Sequence, residues 1–146
     1  MNPFPILLAE DDAMDRILTE EAFRESRLTN PLFFVNDGEE LMGYLRRQPP
    51  YDDVSQYPMP GIILLDLNMP RMDGRACLRE IRGDPELNHL PIVVLTTSTE
   101  QEEVVRSYNL GANSFMSKSI DFEAFVSQIK AFGDYWCSIV ELPDGE

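Results

Sequence analysis

Three short apolar runs and a fourth short strand pattern in the chain each end in a group able to do chemistry. Ile6-Leu7-Leu8-Ala9 leads into Glu10-Asp11-Asp12, and Ile62-Ile63-Leu64-Leu65 into Asp66. Ile92-Val93-Val94-Leu95 ends in Thr96, and Ser114-Phe115-Met116-Ser117 delivers Lys118. Runs this short, apolar on both alternating faces, suit parallel strands covered by helices on both sides. In such sheets ligands sit beyond the carboxyl ends of the strands. Strands laid side by side would bring the carboxylates of Glu10, Asp11 and Asp66, the Thr96 hydroxyl and the Lys118 ammonium to one edge. Two unit charges about 4 Å apart repel by roughly 4 kcal/mol at an effective dielectric near 20, so clustered carboxylates destabilise one another. Lys118 offsets one charge. A divalent cation offsets the rest, and an all-oxygen donor set suits Mg²⁺. Such a centre is a metal-assisted anion site, and the expected anion is a phosphoryl group. Taken singly, Glu10-Asp11-Asp12 reads as a helix cap with first-turn acids, Thr96 as a turn residue and Lys118 as a solvated charge. Four of them in order at successive strand ends favour the chemical reading.

The rest of the chain supplies the elements that would hold this edge together. After the first strand, Met14, Ile17, Leu18 and Ala22 recur at helical spacing and are expected to face inward, with Asp15, Arg16, Glu20 and Glu21 outward. Asn30-Pro31 is expected to break that helix. Leu32-Phe33-Phe34-Val35 reads as a strand, and Asn36-Asp37-Gly38 turns into a helix carrying Leu41, Met42 and Leu45. Gln48 to Pro60 holds four prolines among polar and acidic residues, which predicts a surface loop. Pro70-Arg71-Met72-Asp73-Gly74 is a turn before a helix with Cys77, Leu78 and Ile81. Glu100 to Leu110 reads as a helix with Gly111 as its C-cap. Asp121 caps the last helix, expected over about residues 121–141. Phe122, Phe125, Ile129, Phe132, Trp136 and Ile139 recur along it as a heptad stripe. At 1.5 Å per residue such a helix runs about 30 Å, more than the sheet needs. Phe122 to Ile129 are expected to pack on the domain, while Phe132, Trp136 and Ile139 overhang it and bury in a two-fold homodimer. Strands alternating with helices five times predict an α/β doubly wound parallel sheet in one domain, residues 1–146.

Composition narrows the partners. The formal net charge of −14 builds no basic stripe, which argues against nucleic acid and against anionic membrane surfaces. No stretch approaches a membrane span, and the amino terminus lacks the basic region of a leader, so a cytoplasmic protein is expected. Cys77 and Cys137 have neither metal-ligand spacing nor a disulfide framework, and both are expected to be reduced. His89, in Glu86-Leu87-Asn88-His89-Leu90-Pro91, reads as a solvated loop residue.

With these residues in place, the chain resembles the receiver domains of two-component response regulators over residues 5 to about 135. That resemblance implies a flavodoxin-like sheet in strand order 2-1-3-4-5. It makes Asp66 the phosphoacceptor, with Mg²⁺ held by Glu10, Asp11, Asp66 and the backbone carbonyl of Asn68. It gives Thr96 and Lys118 contact with the phosphoryl group, and makes Thr96 and Phe115 the pair that reports the switch. It implies a signalling protein rather than an enzyme, phosphorylated by a sensor histidine kinase and read by a downstream target or phosphotransfer protein. One departure is Ser119, where the family usually carries proline after a cis bond. A non-proline cis bond costs about 2.5–4 kcal/mol, so the chain after Lys118 either bears that cost or takes another path. The long Gln48 to Pro60 loop, the absence of room for an effector domain, and the ending Phe132-Gly133-Asp134-Tyr135-Trp136…Leu142-Pro143 resemble single-domain regulators paired with phytochrome-type kinases. Two other readings use similar parts. A haloacid-dehalogenase-type phosphatase also has a strand-end Asp with Mg²⁺, but needs a second acid where this chain has Asn68. A flavodoxin-like cofactor binder must cradle phosphate in its first turn, where Glu10-Asp11-Asp12 would repel it.

Overall fold

The computed structural model describes residues 4–67, 69, 71–96, 111–112, 114–117 and 121–134, with the side chains of Thr96, Ser114 and Ser117 left aside. Nine elements alternate along them: β1 (Ile6–Ala9), α1 (Ala13–Glu25), β2 (Leu32–Val35), α2 (Gly38–Leu45), β3 (Ile62–Asp66), α3 (Gly74–Gly83), β4 (Ile92–Thr96), β5 (Ser114–Ser117) and α4 (Phe122–Gly133). All strand pairings are parallel, in the order β2-β1-β3-β4-β5, as the sequence and the family resemblance anticipate. The helix expected over Glu100 to Leu110 and the last-helix residues beyond Asp134 lie outside the described residues.

Alternation along each strand divides the core in two. Leu7, Ile63, Leu65, Ile92 and Val94 point to one face, where Leu41, Tyr44 and Leu45 of α2 and Cys77, Leu78 and Ile81 of α3 cover them. Ile6, Leu8, Ile62, Leu64, Val93 and Leu95 point to the other, under Ala22 and Phe23 of α1 and Ile129 and Phe132 of α4. β1 and β3 are buried at every position, which is why their sequences are apolar throughout rather than alternating. Each described helix starts on an aspartate whose carboxylate accepts backbone N–H bonds of the first turn: Asp12, Asp37, Asp73 and Asp121.

Three sequence expectations change. In α1 the buried residues are Thr19, Ala22 and Phe23, whereas Met14, Ile17 and Leu18 are 63%, 54% and 41% exposed. The helix presents its polar-interrupted stripe to the sheet and turns a second apolar stripe outward. It also ends before Asn30-Pro31: Ser26 is its C-cap, and Arg27 at φ 60° leaves the helical path. Phe132, expected to overhang and join a dimer contact, is only 5% exposed inside its own domain. Its ring meets Phe23 edge-on at 6.1 Å between centroids. Beside it, Gly133 packs so closely that an added Cβ would lie 2.5 Å from Leu28. Burying a phenylalanine side chain stabilises by about 1.5–3 kcal/mol, and α1 lies near enough to take it.

The surface loop between α2 and β3 is tied down by aromatics. Tyr44, Tyr51 and Tyr57 form a triangle with centroids 4.9 to 5.9 Å apart, and the Tyr44 hydroxyl donates to the Pro58 carbonyl at 2.7 Å. Burial pushes the Tyr44 and Tyr51 phenols up to about 12.

Candidate functional site

Strand register decides which residues meet. Ala9 pairs with Leu65, so Glu10, one residue on, comes level with Asp66. Asp66 pairs with Leu95, which puts Thr96 one step further along the next strand. Thr96 pairs with Ser117, the residue before Lys118. Glu10, Asp66 and Thr96 therefore close three neighbouring strands at one edge of the sheet.

At that edge the carboxylate oxygens of Glu10, Asp11 and Asp66 lie within 4.8 Å of one another. Glu10 and Asp66 are buried and Asp11 is exposed, so the cluster opens to solvent on one side. Three hard oxygen donors at this spacing, in a mouth reached from water, fit a small divalent cation. The surroundings hold the cluster in place. The backbone N–H of Asp12 donates to Glu10 Oε2 at 3.2 Å, and Arg16 Nε donates to the Glu10 carbonyl at 3.0 Å. The guanidinium of Arg16 also lies 5.9 Å over the Phe34 ring. The acids sit at the amino end of α1, where the helix dipole favours negative charge.

The loop leaving Asp66 is fastened at several points. Gly74 N–H donates to the Leu67 carbonyl at 3.1 Å, and an added Cβ on Gly74 would come within 2.6 Å of the Asp66 carbonyl. Gly38, at the start of α2, approaches Met72 so closely that a Cβ there would lie 1.9 Å from its carbonyl oxygen. Arg71, at φ 67°, pairs its Nε with Asp37 Oδ2 at 3.2 Å. Arg16, Asp37 and Arg71 had no site role in the sequence reading. No spacing signal links Asp37 with Arg71, because only the fold brings the start of α2 against the loop after β3.

Phe115 on β5 is half-buried against the α2/α3 side of the core. Asn68, Lys118, Trp136 and Ile139 lie outside the described residues, as does the side chain of Thr96. Beside the acids, Glu10, Asp15, Leu18, Thr19, Leu95, Phe122 and Phe125 line a groove between α1 and α4. Of these, Leu18 is exposed, and Met14 and Ile17 are exposed on the same helix. His89 is exposed, as expected, and Cys77 is a buried free thiol. Among the described residues no helix is long and apolar enough to cross a membrane.

Comparison with known proteins agrees with this geometry. Residues 6–130 match the family model of the response regulator receiver domain. The chain is 37% identical over 141 residues to the response regulator Rcp1 of Synechocystis sp., covering 97% of this chain and 94% of that protein. The crystal structure of the Mn(2+)-bound form of response regulator Rcp1 superposes with a TM-score of 0.84 at 37% identity, over 97% of this chain and 100% of that one. That of the phosphorylated cyanobacterial phytochrome response regulator RcpA superposes with a TM-score of 0.86 at 36% identity, over 98% and 100% of the two chains. With its five parallel strands in receiver order and its acids gathered at their carboxyl edge, the chain belongs to the response regulator receiver domain family.

Proposed function

We propose that the chain is a phosphoacceptor response regulator that takes a phosphoryl group onto Asp66 from a sensor histidine kinase and passes the signal on by changing conformation. The observation that carries this reading is the buried Asp66 carboxylate within 4.8 Å of those of Glu10 and Asp11. A carboxylate oxygen of Asp66 attacks phosphorus in line, the bond to the donor breaks, and an acyl phosphate forms. Glu10, Asp11, Asp66 and the Asn68 carbonyl would hold Mg²⁺, which would supply positive charge to the phosphoryl oxygens. Lys118 and Thr96 would contact those oxygens, and Thr96 with Phe115 would report the change as a population shift. The Mn(2+)-bound form of Rcp1 and the phosphorylated RcpA support a divalent cation and a phosphorylated state here.

The phytochrome response regulator RcpA supports a phytochrome-type kinase as the donor. A downstream target or phosphotransfer protein as reader and the cytoplasm as the setting complete the proposal. The exposed apolar residues of α1, of which Leu18 lines the groove beside Glu10, would seat the donor next to the acceptor. A homodimer through Trp136 and Ile139 remains part of the proposal, without Phe132. Phosphatase chemistry of the haloacid-dehalogenase type lacks its second acid, since Asn68 occupies that position. A flavodoxin-like cofactor site would place phosphate against the acids at the start of α1.

Incubation with Mg²⁺ and a small phosphodonor, followed by intact mass, tests the reading. One base-labile phosphate is expected, present in the wild type and absent from Asp66→Asn. A phosphorylated Asp66→Asn protein, or a wild type that takes none, rules it out.

A further inference from the structure

We infer that Asp37 and Arg71 are positioning residues for the cation site: their ion pair sets the loop between Leu67 and Gly74 against the amino end of α2, and so sets cation affinity without touching the cation. The inference rests on the metal-assisted phosphoacceptor reading given above.

Asp37 divides its carboxylate between two elements. Oδ1 accepts the Glu40 N–H at 2.8 Å and caps α2, while Oδ2 meets Arg71 Nε at 3.2 Å. The Asp37 side chain is only 7% exposed, and a buried carboxylate is stable only when paired and hydrogen-bonded. Arg71 is itself held at φ 67°, a left-handed conformation unfavourable for a residue with a Cβ. A non-glycine residue stays in that region only when its surroundings hold it there. One residue on, the Met72 backbone lies against Gly38 with no room for a methyl group. At its ends the loop closes through Gly74 N–H on the Leu67 carbonyl, directly after Asp66. Arg71 and Met72 are thus held on the amino end of α2, a few residues after the phosphoacceptor. Groups that orient a metal's ligands from behind typically account for about 10–100-fold in affinity.

The sign of one substitution separates positioning from charge. Arg71→Ala removes a positive charge and leaves the three site carboxylates no less negative, so electrostatics alone predicts unchanged or tighter cation binding. Positioning predicts weaker binding. Asp37→Asn keeps an oxygen for the Glu40 N–H and turns the acceptor facing Arg71 into an amide donor.

Binding of Mn²⁺ to the unphosphorylated full chain can be followed by electron paramagnetic resonance of the free ion, with Mg²⁺ measured by competition. Arg71→Ala, Arg71→Gly and Asp37→Asn should each weaken Mn²⁺ by about tenfold, at the low end of the range for ligand-orienting groups. Arg71→Gly relieves the backbone strain yet should lose as much as Arg71→Ala, which ties the loss to the pair. Arg71→Lys should recover part of it, and the double variant Asp37→Asn with Arg71→Ala should lose no more than either single one. The metal-free melting temperatures of Arg71→Ala and Arg71→Lys should differ little. Affinities within twofold of wild type in the single variants, tighter binding by Arg71→Ala, or fully additive losses would overturn the inference. A wild type that binds neither ion would instead overturn the metal reading beneath it.

Discussion

Asp66 and Glu10 are individually costly residues that make sense only together with the exposed Asp11 beside them. Two of them are buried, and each buried carboxylate would be unfavourable without partners. Cys77 shows the opposite case, a nucleophilic residue type in a setting that disarms it. Burial, with Asp73 nearby, pushes its thiol up to about 12, and its Sγ lies 3.7 Å from the Gly38 carbonyl where α2 and α3 meet. The thiolate is the reactive form, so a raised pKa leaves the group protonated and inert across the physiological range. Alkylation of the native protein with iodoacetamide at pH 8 should leave Cys77 unlabelled, as read by peptide mapping, and should label it in denaturant. Rapid labelling of Cys77 in the folded protein would mean that the α2–α3 seam opens far more readily than its packing suggests.

At the level of elements, α1 carries the main surprise. Its apolar residues fall into two stripes, and the one that packs on the sheet is Ala22 and Phe23 with Thr19, whose hydroxyl donates to the Asp15 carbonyl at 2.8 Å. Met14, Ile17 and Leu18 face solvent next to the acid cluster, where an exposed apolar patch favours a protein partner. Replacing Ile17 and Leu18 together by glutamate should leave labelling by a small phosphodonor within twofold of wild type. Transfer from the phosphorylated kinase should slow by at least tenfold, equivalent to about 1.4 kcal/mol of lost transition-state stabilisation. The thermal midpoint should hold, because neither side chain contributes to the core. Equal slowing with both donors would show that the face serves the site's geometry rather than the docking of a protein.

For the whole molecule, the core beneath α1 and α4 takes in Ile129 and Phe132, with Phe125 and Val126 packed against it. Ser26 Oγ donates to the Val126 carbonyl at 3.2 Å and Phe23 meets Phe132, so α1 and α4 form one layer. With Phe132 taken into that layer, a dimer contact on the carboxyl-terminal stripe falls to Trp136 and Ile139. The pair of substitutions Trp136→Ala and Ile139→Ala should turn a dimer into a monomer in sedimentation velocity at tens of micromolar. If wild type already sediments as a monomer, with and without phosphodonor, the homodimer is excluded.

Much of this architecture was legible in the sequence because the signals were local. Apolar runs such as Ile62 to Leu65 can be covered on both faces only inside an α/β sheet, and Asp121 marks a helix start by the group it offers to the first turn. The order of polar residues after those runs was enough to single out Asp66 with Glu10 and Asp11, since parallel strands bring their carboxyl ends together whatever their exact register. Which stripe of α1 faces inward was not legible, because Met14, Ile17 and Leu18 are as apolar as a core stripe and only the neighbours of the helix decide between them. The same holds for Phe132, whose burial depends on Phe23 and Leu28 reaching it from α1. The pairing of Asp37 with Arg71 was decided by tertiary structure alone: two residues distant in the chain carry no shared period, and the packing of Gly38 on Met72 is what brings their charges within 3.2 Å.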